Sequence, residues 1–361
     1  MTWPPEFTYV PAGRGGWPGW MRFKLKECWI VIRLLLARWP ARAQAIALHN
    51  SSKGVHFTTA FLDRKAACVE PRLERASLVC PVSGVVSVLA LAGALLLALL
   101  PIRGICWFVA MALRPRDMAV IYCDAQLSGF AFAIAYQRKG TPTATLHHGL
   151  YRHDDPVSMV GIANFVSDRA YLWNEVTREA FLAGGVEDAR LSVVGQYGWE
   201  QDGTGEAPPD PGRVHLCPPF DEAQLPLYQR ISAVLQPDWR TGFSLHPLLR
   251  GRHAGMQPQA VGDLDPAPVA AICGDSGAIM DCLSRGVPVV TIGRRVLAKT
   301  HLTRETATAM SAHDWVEAFR RAAQCLASDR ARFGFCDTGM IPPDRSKEAG
   351  PAGKEMVERD G

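Results

Sequence analysis

The sequence predicts an α/β protein built from two parallel-sheet units, and three observations carry that prediction. From residue 118 onward strand signals alternate with helix signals. Residues 201–212, QDGTGEAPPDPG, read as a linker of Gly, Pro and acidic residues. Residues 269–293 read as a complete strand–turn–helix–strand unit. Alternation of this kind builds a parallel sheet whose crossovers are helices. A length of 361 residues with 48% hydrophobic side chains suits two domains with sizeable cores.

The elements follow in order. MAVIYC (118–123) is an apolar run expected to be a buried strand, and GFAFAIAYQRKG (129–140) a helix closed by Gly140. TPTATLHHG (141–149) is a strand running into a loop, and RAYLWN (169–174) another strand. EVTREAFLAGG (175–185) is a helix with a Gly stop, and ARLSVVG (189–195) a further strand. Beyond the linker, RVHLCPP (213–219) opens a Rossmann-like half. DEAQLPLYQRISAVLQ (221–236) is helical, with Pro226 early enough for its first turn, and TGFSLHP (241–247) is a strand. The expected division is residues 1–170 for the first Rossmann-like unit, 171–338 for the second, and 339–361 for a polar, disordered tail. AIAL before HNSSKG (49–54) reads as the first strand and loop of the N-terminal unit.

The N-terminal third is basic and apolar. Before residue 117 there are fifteen Lys and Arg against five Asp and Glu, although the whole chain carries only +4. That balance points to an anionic membrane surface, and no aromatic-basic module of a nucleic-acid reader accompanies it. Residues 76–102 carry no charge, with GVVSVLALAGALLLALLPI (84–102) at their centre. One crossing conflicts with basic residues on both sides of the segment. Two crossings within 83–113 leave about fifteen residues per arm against roughly twenty needed. Helices lying in or dipping into one leaflet are therefore favoured over a true span and over a buried core helix. MRFKLKECWIVIRLLLARW (21–39) reads equally as a basic interfacial helix or as an amphipathic helix packed on a sheet. The ten cysteines form no C-x-x-C pair, and most lie in apolar runs. They read as buried, reduced thiols of a cytosolic compartment.

Three motifs carry chemistry. In GDSGAIMDCLSRGVPVV (274–290) a tight turn follows an apolar strand and leads into a helix. The amides at Gly274, Asp275, Ser276, Gly277 and Ala278 are placed to hold a phosphate, with Asp275 as a cap. In LHP (245–247), His246 and Pro247 stand at a strand end, where ligands of open parallel sheets gather. In LHHGLYR (146–152), strand alternation sends His147 and His148 to opposite sides. One faces the cleft and the other packs. His148 beside Gly149 is the favoured base, with His147 the second candidate and Gly149, Tyr151 and Arg152 on the acceptor side. DLD (263–265) and HDD (153–155) read as solvated loops rather than metal sites, and GRGG (13–16) lacks a preceding strand.

These residues carry a resemblance. The succession LHHG, YLWNEVTREAFLAGGVEDARLSVVGQ, LHP and GDSGAIMDCLSRGVPVV, over roughly residues 115–300, is similar to the GT-B superfamily. Within it the sequence most resembles CDP-glycerol glycerophosphotransferase-like proteins and HP-motif capsule polysaccharide transferases. The resemblance implies an α/β, GT-B-like fold of two Rossmann-like domains facing a cleft. It implies His148 as base, His246 with Pro247 at the donor, and Ser276 with its neighbouring amides at the donor phosphate. It also implies chemistry without a metal or other cofactor. The expected function is transfer of a sugar or polyol phosphate in bacterial surface polysaccharide biosynthesis. The expected donor is a nucleotide-activated sugar or CDP-polyol, the acceptor a lipid-linked or growing glycan, and the location the cytoplasmic face of the inner membrane, with no nucleic-acid partner. The alternatives are a nucleotide-sugar epimerase of the same fold and a non-catalytic membrane-associated GT-B-like protein.

Overall fold

The computed structural model describes residues 9, 16–40, 45–49, 58–82, 88–147, 150–152, 156–195, 210–219, 221–245, 267–274, 277–293 and 296–334. Two parallel sheets organise them. The first has six strands: β1 (Ala45–Leu48), β2 (Ser77–Val79), β3 (Met118–Tyr122), β4 (Thr143–Leu146), β5 (Arg169–Leu172) and β6 (Leu191–Val193). Their spatial order is β2-β1-β3-β4-β5-β6, and each described pairing is parallel. The second has five: β7 (Asp210–Cys217), β8 (Arg240–Phe243), β9 (Pro268–Cys273), β10 (Val289–Ile292) and β11 (His301–Leu302). Their order is β11-β10-β9-β7-β8, again parallel. Both sheets are doubly wound. The winding reverses between β1 and β3 in the first and between β7 and β9 in the second, and those reversals are where such sheets open a ligand crevice.

Ten helices accompany the sheets among the described residues, apart from short helical segments around 58–73 and isolated 3₁₀ turns. They are α1 (Gly16–Leu35), α2 (Val88–Leu99), α3 (Ile102–Ala112), α4 (Leu127–Gln137), α5 (Pro156–Ala163), α6 (Glu175–Ala183), α7 (Leu225–Leu235), α8 (Ala278–Ser284), α9 (Arg304–Ala309) and α10 (Ala312–Arg332). The domain expectation needs correction. β5 and β6 continue the first sheet, so that unit runs through Gly195 rather than ending at residue 170. The linker is also shorter than expected, because β7 already begins at Asp210. RAYL and LSV are short strands whose backbone donors need a neighbour, and β4 supplies it through β5.

Strand alternation sorts the core. Ile46, Leu48, Ala119 and Ile121 face a cluster with α1, α2, α3 and α4, while Ala45, Ala47, Met118, Val120 and Tyr122 face the opposite side. Helix α4 is buried from Leu127 to Tyr136, as its apolar circumference requires. The segment read equally as a basic interfacial helix or as an amphipathic helix packed on a sheet is α1, and it packs. Cys28, Val31 and Leu34 are buried on one stripe. Glu27, also buried, accepts from both the amide (3.1 Å) and the hydroxyl (2.7 Å) of Ser128. A carboxylate there meets the free amides and positive dipole end of α4.

The uncharged segment holds β2 and α2, and α3 follows it after a break at Pro101. With 12 and 11 residues, each helix spans only about 16–18 Å of the ~30 Å hydrocarbon core. No helix among the described residues is long and apolar enough to cross a membrane. One face of the pair packs inward through Ala94, Leu97, Ala98, Ile105, Cys106, Val109 and Ala110. The other leaves Leu96 67% and Leu99 75% exposed, with Leu95, Trp107 and Met111. Lys24 donates to the Leu100 carbonyl at 2.7 Å and so closes the end of α2.

The last helix ties the two units together. Phe333, just past α10, shares a core cluster with Trp173. Gly334 (φ +81°) lies so close to the Trp173 and Gly195 backbones that no side chain fits. Arg332 reaches Glu179 at 3.3 Å. Arg330 donates to the Leu283 carbonyl at 2.6 Å, capping α8.

Replacing Glu27 with Ala strips two donors of their partner. A loss of about 1–3 kcal/mol is expected, read as a lower denaturation midpoint at unchanged slope.

Candidate functional site

The second sheet's reversal is built from few residues. β7 leaves through Cys217, Pro218 and Pro219, and β9 leaves through Cys273 and Gly274. The Gly274 amide donates to the Cys217 carbonyl at 2.9 Å, holding the two exits together. A Cβ on Gly274 would stand 2.8 Å from Pro219 Cγ and 2.9 Å from its nitrogen. Gly274 is therefore needed for the close approach of two chain exits. Gly277 is different: it is exposed, and a Cβ there would meet nothing within 4 Å. Among the described residues nothing crowds Gly277, which precedes α8 and its first residue Ala278.

Gly277 itself is the N-cap of α8. Asp275 and Ser276 lie outside the described residues, as do His246 and Pro247. The chain reaches His246 from Leu245, which is buried against Leu225 beyond the carboxyl end of β8. The Ser244 amide donates to the Leu216 carbonyl at 2.9 Å, so β8 and β7 run together almost to that point. Below the crevice the sulfurs of Cys217, Cys273 and Cys282 converge. Hydrogen bonds from Cys217 and Cys273 pull the Cys282 thiol well below its ordinary value. Burial pushes the neighbouring His215 imidazole down to about 4.

In the first unit His148 and Gly149 lie outside the described residues. His147 is described, and its place among the catalytic candidates is corrected. Its side chain is 1% exposed and packs edge-on against Tyr151 and Phe181, with ring centroids 4.9 and 4.6 Å away. It is enclosed rather than facing an open crevice. Tyr151 is half-buried and its amide donates to Thr177 Oγ1 at 3.2 Å; Arg152 is partly exposed.

A carboxylate outside the three motifs stands beside His147. Asp124 follows β3 and is fully buried, with Oδ1 3.8 Å from His147 Nε2. Its Oδ2 accepts from the amides of Val166 (3.2 Å) and Ser167 (3.0 Å) and from the Ser167 hydroxyl (2.8 Å). Burial raises its pKa, and the Ser167 and Val166 donors offset part of that rise. Cys123 beside it adopts φ 59°, the left-handed turn that brings the chain off β3. The available signal was an acidic residue directly after an apolar strand. Its partners come from residues 166 and 167, which no local pattern links to it. The DLD and HDD triplets lie outside the described residues.

No family model matches the chain, and no curated protein does. Solved structures do. A putative UDP-N-acetylglucosamine 2-epimerase from Listeria monocytogenes is similar at TM-score 0.52 and 14% identity, over 82% of this chain and 93% of that one. HepE from Anabaena, solved in complex with UDP, is similar at TM-score 0.50 and 12% identity, over 81% of this chain and 96% of that one. The likeness at these identities is one of fold: two parallel-sheet α/β domains, as the GT-B resemblance implied.

The two glycines separate crevice geometry from helix capping. Gly274→Ala is expected to cost about 1–3 kcal/mol, since Pro219 must move. Gly277→Ser is expected to stay within about 0.5 kcal/mol of the native protein. Parallel denaturant titrations measure both.

Proposed function

We propose that this protein transfers a sugar or polyol phosphate from a nucleotide-activated donor to a lipid-linked or growing glycan. The reaction runs at the cytoplasmic face of a membrane, in surface polysaccharide synthesis such as that of a capsule. The observation that carries the reading is the reversal between β7 and β9, with its two chain exits pinned at Gly274 and an exposed Gly277 before α8. In a doubly wound sheet that position is where a nucleotide's phosphates are held.

In this reading His246, Pro247 and the Gly274–Ala278 turn bind the donor phosphates. His148 accepts the proton of the acceptor hydroxyl, whose oxygen forms the new bond as the bond to the nucleotide phosphate breaks. The negative charge gathering on the departing phosphate is met by the donor-site amides and His246. Gly149, Tyr151 and Arg152 line the acceptor side, and no metal is needed for the chemistry. Membrane contact falls to the exposed face of α2 and α3. Arg103 and the exposed Arg22, Lys26 and Arg38 are suited to anionic headgroups, while Leu96, Leu99 and Trp107 enter one leaflet.

Thermal stabilisation by UDP, CDP, CMP and GDP tests the donor site. A nucleotide at about 100 times its Kd adds roughly 2.7 kcal/mol, an upward shift of about 5 °C for a chain of this size. His246→Ala is expected to abolish it. Silence of the folded protein toward all four nucleotides favours the non-catalytic alternative. With the right donor, His148→Ala is expected to slow transfer by about 10²–10⁴ while nucleotide stabilisation persists. Formation of a free altered nucleotide sugar without acceptor identifies an epimerase instead. Flotation with anionic vesicles tests the membrane face. The native protein is expected to float and the Leu96→Asp, Leu99→Asp double variant to stay behind, since each buried leucine contributes about 1.5–3 kcal/mol.

A further inference from the structure

Beneath the same crevice lies a group of side chains that the transfer reaction does not use. Cys217 is the last residue of β7 and Cys273 the last of β9, and the two are direct partners across the strand pair. Helix α8 lowers Cys282 onto them. The three sulfurs lie within 4.8 Å of one another, and none of the three residues is exposed. On β7, Val214 and Leu216 face the α7/α10 side, so His215 shares the opposite face with Cys217.

His215 adds a second, independent observation. It is fully buried, and its Nε2 stands 2.7 Å from the Ser244 hydroxyl. Its Nδ1 has no hydrogen-bond partner among the described residues. Buried ring nitrogens are rarely left so. With Nε2–H donating to Ser244, Nδ1 carries a free lone pair. A ligating histidine has the same form, one nitrogen on the metal and the other fixed by a hydrogen bond. The ring shares that face of β7 with Cys217, and its nitrogens stand outside the 4.8 Å group that the three sulfurs form.

We infer that Cys217, Cys273 and Cys282 bind one divalent thiophilic cation of the zinc class, with His215 Nδ1 drawn in as fourth donor when the ion is taken up. The set is sulfur and imidazole, with no carboxylate or carbonyl, which disfavours calcium and magnesium. Zinc–sulfur bonds of about 2.3 Å in a tetrahedron place sulfurs roughly 3.8 Å apart. The three sulfurs meet that by closing about 1 Å or less, and the His215 ring must move toward them. Each thiol that ligates releases its proton to solvent, so uptake frees protons and tightens as pH rises. The bound cation cross-links the exits of β7 and β9 to α8. This inference does not depend on the nucleotide reading.

Cobalt is the probe, supplied during expression of the full chain because the site is enclosed. The purified protein is expected to hold about one cobalt per chain, with thiolate-to-cobalt charge-transfer absorption and tetrahedral ligand-field bands that zinc displaces. Cys282→Ser is expected to weaken binding at least roughly tenfold and to diminish the charge-transfer band. Cys106→Ser, a buried thiol elsewhere, is expected to change neither. Folded protein without cobalt, cobalt without a thiolate band, or a Cys282→Ser spectrum equal to the native one overturns the assignment. Should Cys282→Ser not fold, the native spectrum decides alone, by whether the thiolate band is there.

Discussion

Two pairs of neighbouring parallel strands, β1 with β3 and β7 with β9, carry the rest of the molecule. Parallel strands cannot be joined by a tight turn, so each exit must leave the sheet and cross over through a helix. Where successive crossovers depart to opposite sides, the exits diverge and leave a crevice at the carboxyl edge. In the second sheet the divergence is controlled by one hydrogen bond, Gly274 to Cys217, and by one contact that excludes a side chain, Gly274 against Pro219. In the first sheet Asp124 does comparable work. Fully buried, it draws the 166–167 segment onto the end of β3 through three donors.

The N-terminal elaboration follows from the same frame. One face of the first sheet is covered by α4, and α4 is apolar all round, so something must cover it in turn. Helices α1, α2 and α3 do so. Glu27 anchors α1 to the start of α4, and Lys24 closes the end of α2. A segment that looks by composition like a membrane span is thus divided by Pro101 into two short helices, each with an inward and an outward apolar face. The inward face explains part of the hydrophobicity. The outward face is the part that protein packing leaves unexplained.

The core beneath the β7–β9 crevice is polar in an unusual way for an α/β interior. Alternation along β7 places His215 and Cys217 on the face where α8 packs, next to Cys273 of β9. An ordinary interior there would be branched aliphatic, as the other face is with Val214, Leu216, Ala270 and Ile272. Sulfur and imidazole concentrated on one face, under the two chain exits, tie the chemistry of the core to the shape of the crevice.

Much of the fold was legible because its signals are local. Apolar runs such as MAVIY and VAAIC can be buried on both faces only in a parallel sheet, and Gly184–Gly185 or Pro226 mark helix ends by backbone geometry alone. His148, His246 and Ser276 were singled out by their position after strands, a rule of chain order. The misreadings were non-local. The expected boundary split RAYL and left LSV on the wrong side, because sheet membership depends on which strand donates the next hydrogen bonds. His147 and Asp124 lie 23 residues apart in sequence and meet only through the pairing of β3 with β4. Helix, strand and turn chemistry were therefore written in neighbouring residues. The domain boundary, the enclosure of His147 and the meeting of Cys217, Cys273 and Cys282 depended on strand order and register, which bring distant residues together only once the sheets have formed.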